Sequence, residues 1–148
     1  MNQTLKSGAK GVTATIEAAG KTTNLTVERV IMAVGIVGNV DDIGLEGTKV
    51  EVSREHIVIN EWCETGEPGV YAIGDVVGPP WLAHKASHEG VICIEKIAGV
   101  NDVQPLDTSN IPGCTYCHPQ VASVGLTEQA AKDAGHKVKV GRFPFAGN

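Results

Sequence analysis

Apolar and polar residues along this chain follow two periods, one typical of strands and one typical of helices. Strand-like runs rich in β-branched residues are predicted over 12–17, 22–26, 28–35, 56–59, 70–73, 121–124 and 137–140. Apolar positions at helical spacing predict helices over 82–98 and 128–134, each followed by a glycine, with Thr127 placed to cap the second. Runs 28–35 and 70–73 are almost wholly apolar, which predicts strands buried on both faces.

The end of the run 70–73 carries the most informative chemistry. Gly74 follows it and has no Cβ, so a ligand can approach the backbone closely there. Asp75 adds an acceptor-only carboxylate at the carboxyl end of a predicted strand, where open α/β sheets bind ligands. A loop with two adjacent prolines leads to the helix that starts at Leu82, whose end offers unpaired N–H groups and a positive dipole. We therefore predict half of a nucleotide-binding site.

Three motifs resemble the pyridine nucleotide-disulfide oxidoreductases. Residues 65–75, Thr-x4-Val-Tyr-Ala-Ile-Gly-Asp, resemble the second flavin-binding motif of that family, whose aspartate holds a ribityl hydroxyl of FAD. Residues 81–86, Trp-Leu-Ala-His-Lys-Ala, resemble a segment of the dihydrolipoyl dehydrogenase branch that reads Met-Leu-Ala-His-Lys-Ala. Residues 115–125 are similar to the Tyr-Thr-His-Pro-Glu-Val-Ala-x-Val-Gly segment of the interface domain. The resemblance runs over 12–148 and covers the middle of a longer subunit.

The resemblance implies an α/β fold made of pieces of two nucleotide-binding domains, followed by the start of an α+β dimerisation domain. On this view residues 1–39 are the end of the NAD-binding domain and 40–101 the C-terminal part of the FAD-binding domain. Residues 102–148 are then the start of the interface domain. The residues that the resemblance assigns to the cofactors are Asp75, Trp81, Leu82, Ala83 and His84 for FAD and Gly35 for NAD.

The activity implied by the resemblance is oxidation of dihydrolipoyl groups with NAD+, relayed by FAD. The implied partners are the lipoyl domains of 2-oxo acid dehydrogenase complexes and a second copy of the subunit, in the bacterial cytoplasm or the mitochondrial matrix. The sequence contains no Gly-x-Gly-x-x-Gly, no Cys-x4-Cys and no His-Pro-Thr segment. We therefore expect this chain alone to be an inactive internal fragment that binds neither FAD nor NAD tightly, and no catalytic residue is assigned.

Two alternatives to this function stay open. The chain could belong to another disulfide oxidoreductase of the same family, although the Leu-Ala-His-Lys-Ala start of the helix argues against that. It could also be a non-catalytic assembly module built from the same pieces of fold, which nothing in the sequence excludes. Flavin absorbance in the purified protein would separate an intact cofactor site from mere retention of the fold.

The composition of the chain restricts the classes of partner and the compartment that can be expected for it. A hydrophobic content of 42% with 20% charged residues is typical of a globular chain. The net charge of −5, with no basic run, argues against nucleic acid as a partner. No apolar stretch reaches the length of a membrane span, and the first ten residues do not resemble a signal peptide. Four cysteines in such a chain indicate free thiols in a reducing compartment.

The cysteine pair Cys114 and Cys117 raises the question of a redox or zinc site. Residues three apart on a strand point to opposite faces and do not chelate together, and only His118 lies nearby as a further ligand. We predict two buried or partly buried free thiols. His84 and His88 stand four apart on the predicted helix, a spacing that can bind metal, but a place on the helix surface is the prediction for His88.

Overall fold

A computed structural model describes residues 3–8 and 11–145, which fall into two compact units, Met1–Ile36 and Val37–Asn148. None of the helices in these described residues is long and apolar enough to cross a membrane. The domain limits predicted from the sequence stay predictions, and residues 146–148 of the predicted third domain lie outside the described part.

The first unit is a three-stranded antiparallel sheet. Its strands are β1 (Gln3–Gly8), β2 (Gly11–Ala18) and β3 (Lys21–Val27), in the order β1-β2-β3. The strands predicted over 12–17 and 22–26 are confirmed as β2 and β3, which form a hairpin whose turn uses Ala19 and Gly20 at φ of 50° and 72°. Strand β1 was not predicted, because its polar residues give no apolar alternation of their own.

The prediction of a buried strand over 28–35 is wrong. These residues have no regular secondary structure, and Ile31, Met32 and Val34 are 90%, 71% and 84% exposed. An apolar run becomes a central strand only where other strands pair with it and other layers cover both of its faces. The described residues of this unit supply neither to the run.

The second unit contains short strands and two helices around a small core. Its elements are the hairpin β4 (Val52–Ser53) and β5 (His56–Ile57), the 3-10 helix Gly74–Val77, α1 (Ala83–Ile97), the 3-10 helix Thr108–Asn110, the hairpin β6 (Gly113–Thr115) and β7 (Val121–Ser123), and α2 (Glu128–Asp133). The buried apolar residues described are Ile57, Cys63, Ala72 and Cys93. So small a core leaves polar interactions a large part in fixing the local structure.

Both predicted helices are confirmed. The buried side of α1 carries Lys85, Glu89 and Cys93, which are spaced four apart and therefore lie on one stripe. In α2, the Thr127 hydroxyl accepts a hydrogen bond from the Ala130 N–H at 3.1 Å, as a capping residue does. Local signals were sufficient here, because caps, terminating glycines and helical spacing act within one element.

Of the four other predicted strands, two are wrong and two are shorter than predicted. The run 70–73 is not a buried strand, because only Tyr71 forms a bridge, with Glu64, and Val70 and Ile73 are 42% and 41% exposed. Residues 137–140 form no strand. The predicted strands at 56–59 and 121–124 exist in shortened form, as β5 and β7. As in the first unit, each strand extends only as far as its partner strand does.

The exposed apolar segment of the first unit predicts self-association of the chain, because such surface is covered by contact with other copies. We expect light scattering to report a mass above 15.5 kDa that rises with concentration. Replacing Ile31 and Val34 together by Asp should lower that mass, whereas Thr23→Asp on the exposed polar strand β3 serves as the control. A monodisperse monomer at every concentration would contradict the prediction.

Candidate functional site

The Asp75 loop, defined as residues 74–77, is a single 3-10 turn packed against α1. It begins at Gly74, which is buried and has a left-handed φ of 80°. A Cβ added to Gly74 would lie 3.3 Å from the Ala86 Cβ of α1. The glycine is therefore required twice, for the backbone conformation and for the close approach of the helix.

A buried ion pair on α1 holds this loop by its backbone. The Lys85 Nζ and the Glu89 Oε1 are 2.9 Å apart, and their side chains are only 4% and 8% exposed. The Gly74 N–H donates to the Glu89 Oε2 at 2.7 Å, and the Lys85 Nζ donates to the Gly74 O at 3.3 Å and to the Gly78 O at 3.0 Å. We call this arrangement the Lys85–Glu89 clamp. Hydrogen bonds with a charged partner are the stronger kind, so the clamp fixes both ends of the loop.

Two thiols border the buried side of the clamp. The Cys63 Sγ donates to the Glu89 backbone O at 3.7 Å. The pKa of the Cys63 thiol is raised to about 11, chiefly by burial and also by Glu89 and Cys93, with Lys85 acting in the opposite direction. Burial also raises the pKa of Cys93, with Glu64 as a second cause. Both groups are therefore neutral thiols near neutral pH and take no part in nucleophilic chemistry.

The outer side of the site presents an acceptor and several donors. The Asp75 side chain is exposed. No side chain caps the N-terminus of α1 at Leu82, and the first hydrogen bond of the helix runs from the Ala86 N–H to the Leu82 O at 3.2 Å. The backbone N–H groups of the first helical turn are thus available to a ligand. A carboxylate and a helix N-terminus held by one clamp suit a ligand with both hydroxyls and electron-rich acceptors.

The residues that the sequence assigned to the cofactors occupy two places. Trp81 ends the loop before the helix and is 37% exposed, and Leu82, Ala83 and His84 form the first turn of α1 with its N-cap. His84 is exposed and its Nε2–H donates to the Pro112 O at 2.8 Å. The structure brings these residues and the Asp75 loop together. Gly35 lies in the first unit, in an exposed segment without regular secondary structure, and has a positive φ of 107°.

Sequence reasoning did not assign a role to Lys85 and Glu89. Both residues lie on the buried stripe of α1, one helical turn apart, followed by Cys93 after another turn. The sequence carried no signal for a buried pair, because the apolar positions Val91, Ile94 and Ile97 lie outside this stripe, where they are 56%, 64% and 53% exposed. His88 lies on the helix surface as predicted.

The prediction that Cys114 and Cys117 are buried or partly buried is wrong, although both are free thiols. They lie on and beside the two-stranded hairpin of β6 and β7, which offers no covering layer, and both are exposed. The Cys117 Sγ donates to the Pro119 O at 3.0 Å. Within the described residues, no group of three or more His, Cys, Asp or Glu side chains could hold a metal ion.

Comparison with known proteins shows the family of the chain. The profile of the pyridine nucleotide-disulphide oxidoreductases matches residues 2–90, and the profile of their dimerisation domain matches residues 111–148. The chain therefore belongs to the pyridine nucleotide-disulphide oxidoreductase family. The resemblance noted in the sequence is confirmed.

Within that family the chain is similar to dihydrolipoyl dehydrogenases. It is 52% identical to the one from Rhizobium etli over 97% of this chain and 30% of the relative, and 51% identical to the one from Zymomonas mobilis over 99% and 32%. The chain thus spans about a third of the length of the curated relatives it matches.

Solved structures agree in fold. The structure of LpdA from Mycobacterium tuberculosis superposes with a TM-score of 0.73 at 26% identity, over 88% of this chain and 28% of the other. The flavoprotein disulfide reductase RclA from Escherichia coli gives a TM-score of 0.76 at 20% identity, over 90% and 30%, which shows the fold alone. The predicted α/β class is confirmed.

The clamp predicts a large cost for removing one of its charges. Glu89→Gln leaves the Lys85 ammonium buried without a counter-charge, so we expect the free energy of unfolding to fall by about 3–5 kcal/mol in denaturant titrations. The control is Glu128→Gln in the exposed pair of Glu128 and Lys132, which are 41% and 53% exposed, with an expected loss of about 0–1 kcal/mol. Equal losses for the two variants would contradict a clamp.

The two pairs of cysteines should differ in reactivity. At pH 8 a thiol with a pKa of about 11 is ionised in roughly one molecule in a thousand, and Cys63 is also buried, whereas Cys114 and Cys117 are exposed. We expect mass spectrometry to find iodoacetamide on Cys114 and Cys117 in the folded chain and on all four cysteines in denaturant. Labelling of Cys63 as fast as Cys114 would refute this assignment.

Proposed function

We propose that this chain supplies part of the FAD site of a dihydrolipoyl dehydrogenase, an enzyme that oxidises dihydrolipoyl groups with NAD+. The observation that carries the proposal is the clamp, in which Lys85 and Glu89 hold the Asp75 loop against an uncapped helix N-terminus. It leaves the Asp75 carboxylate exposed as an acceptor and the first N–H groups of α1 as donors. The similarity to dihydrolipoyl dehydrogenases over nearly the whole chain supports the same function.

Each residue of the proposed site has a distinct task. Asp75 accepts a hydrogen bond from a ribityl hydroxyl of FAD, a charge-assisted interaction. Leu82, Ala83 and His84 present backbone groups of the helix N-terminus, whose positive dipole end favours negative charge on a ligand. Trp81 supplies an aromatic wall beside them. The flavin, when bound, supplies the electron transfer between thiols and NAD, and the residues of this chain bind and orient it.

The remaining parts of the proposal rest on the family. Gly35 is proposed as an NAD contact, with no Cβ to obstruct a close approach. The match of residues 111–148 to a dimerisation domain supports pairing with a second subunit. The lipoyl domains of 2-oxo acid dehydrogenase complexes are the proposed partners, and the cytoplasm or the mitochondrial matrix the proposed compartment. The chain alone is proposed to be inactive and to bind neither FAD nor NAD tightly.

A chimeric enzyme tests this function. The matching segment of the Rhizobium etli dihydrolipoyl dehydrogenase is replaced by this chain, and the subunit is purified and assayed for bound FAD and for oxidation of dihydrolipoamide with NAD+. We expect a flavin-containing, active subunit, because the clamp and the helix start are supplied by this chain itself. A folded chimera that holds FAD but reduces no NAD+ with dihydrolipoamide would favour another substrate within the family.

Asp75→Ala in that chimera should weaken FAD binding. The change removes a hydrogen bond to a charged acceptor, which contributes about 1.5–3 kcal/mol, so the Kd of FAD should rise roughly 10- to 100-fold. The measurement is titration of the apo-subunit with FAD by fluorescence. Asp102→Ala, at an exposed aspartate after α1, is the control and should leave the Kd unchanged. An unchanged Kd in Asp75→Ala would refute the placement of Asp75 in the site.

A further inference from the structure

His56 lies beside the proline loop, defined as residues 78–82, which joins the Asp75 loop to α1. Its Nδ1–H donates to the Arg54 backbone O at 2.7 Å, so the imidazole folds back over the turn between β4 and β5. Arg54 and Glu55 in that turn have left-handed φ values of 49° and 61°, which non-glycine residues seldom adopt. The hydrogen bond therefore joins the side chain to a strained turn.

The ring of His56 reaches both ends of the proline loop. A Cβ built on Gly78 would lie 3.7 Å from the His56 Cγ and Cδ2, so the ring lies on the side of Gly78 where a side chain would be, about one methyl group away from the first residue of the loop. At the other end, the imidazole and the Trp81 indole have centroids 6.0 Å apart and an interplanar angle of 31°. That separation is within the range in which aromatic rings attract each other.

The proline loop has few other restraints on its path. The Gly78 N–H donates to the Asp75 O at 3.1 Å, and the Gly78 O accepts from Lys85. Pro79 and Pro80 have no N–H, and within the described part of the chain residues 79–81 form no hydrogen bond. The contact of Trp81 with His56 is therefore a restraint on the second half of this loop, together with the hydrogen bond from the Ala86 N–H to the Leu82 O at 3.2 Å.

Hydrogen bonding on the far edge of the ring does not explain its position. The His56 Nε2 is buried and has no hydrogen-bond partner among the described residues. A buried polar atom without a partner is unfavourable. The loop therefore packs against the flat apolar face of the ring. A phenyl ring offers the same face for packing.

We propose that His56 is a positioning residue of the proposed FAD site, because its ring packs beside Trp81 and limits the path of the loop next to Gly78, and so sets where α1 begins relative to Asp75. The inference rests on the proposed function. His56 itself contacts no cofactor in this account and acts through the proline loop. Loss of the ring releases Trp81 and the start of α1, which loosens the geometry of the donors relative to the Asp75 carboxylate.

The test uses three substitutions of His56 in the Rhizobium etli chimera. His56→Phe keeps the ring and drops the donor, His56→Asn keeps a donor for the Arg54 O and drops the ring, and His56→Ala drops both. We expect the Kd of FAD to rise roughly two- to tenfold in the Asn and Ala variants, the range that an aromatic pair contributes, and to stay at the parent value in the Phe variant. Melting temperatures are measured alongside, and all titrations are done where every variant is folded.

The outcomes separate this inference from the proposed function. If His56→Asn binds FAD as the parent does, or if His56→Phe binds it as weakly as His56→Ala, the ring is not the positioning group. If Asp75→Ala weakens FAD binding while none of the three His56 variants does, the result contradicts only the inference about His56. If Asp75→Ala has no effect, the result contradicts the proposed function itself.

A second readout needs no flavin. In a Trp62→Phe form of this chain, Trp81 is the remaining tryptophan and reports its own surroundings. We expect the Trp81 emission maximum to shift to longer wavelength in His56→Ala, because the ring becomes more exposed to water, and to stay in place in His56→Phe. An unchanged emission maximum in His56→Ala would contradict the contact between His56 and Trp81 on which the inference depends.

Discussion

The shape of the candidate site depends on two opposite charges buried beneath one turn of backbone. Lys85 and Glu89 face each other at 2.9 Å on the inner stripe of α1 and together hold the N–H and the O of Gly74 and the O of Gly78. Burying such a pair is costly unless its remaining hydrogen-bonding positions are used. Here the Asp75 loop uses them, so the loop and the pair stabilise each other. An apolar replacement of equal volume could preserve the stability of the helix packing, but it could not hold the loop.

Asp75 is free for a ligand because another carboxylate, that of Glu89, holds the backbone of the loop. The structural carboxylate is Glu89, which points inward, and the exposed carboxylate is Asp75, which faces outward from the same loop. The helix start is also left without a side-chain cap. Because Glu89 already holds the backbone of the loop that carries Asp75, a ligand does not have to order the loop on binding. The site is in this sense preorganised. His56 extends the same principle to the proline loop with an apolar contact.

The sequence predicted correctly those features that depend on neighbouring residues. The predictions that were wrong concern structure that depends on partners far away in the sequence. The hairpin of β2 and β3, both helices and the Thr127 cap follow from local alternation, spacing and capping, and the structure confirms them. The apolar runs 28–35 and 70–73 were expected to be buried strands, but burial needs partner strands that the described residues do not supply. In the site, Asp75 and the helix start follow from a motif. The clamp and the contact between His56 and Trp81 arise from packing between separate elements, which no single stretch of sequence displays.

The most direct test of the clamp is the hydrogen exchange of the Gly74 amide, measured by NMR on the isotopically labelled chain. The account predicts slow exchange at Gly74, comparable to that of the central amides of α1, because the proton is buried and donated to a carboxylate at 2.7 Å. In a Lys85→Met, Glu89→Leu double variant the helix should persist while the Gly74 amide exchanges fast. Exchange at Gly74 in the parent chain as fast as at the exposed turn glycine Gly44 would contradict the account.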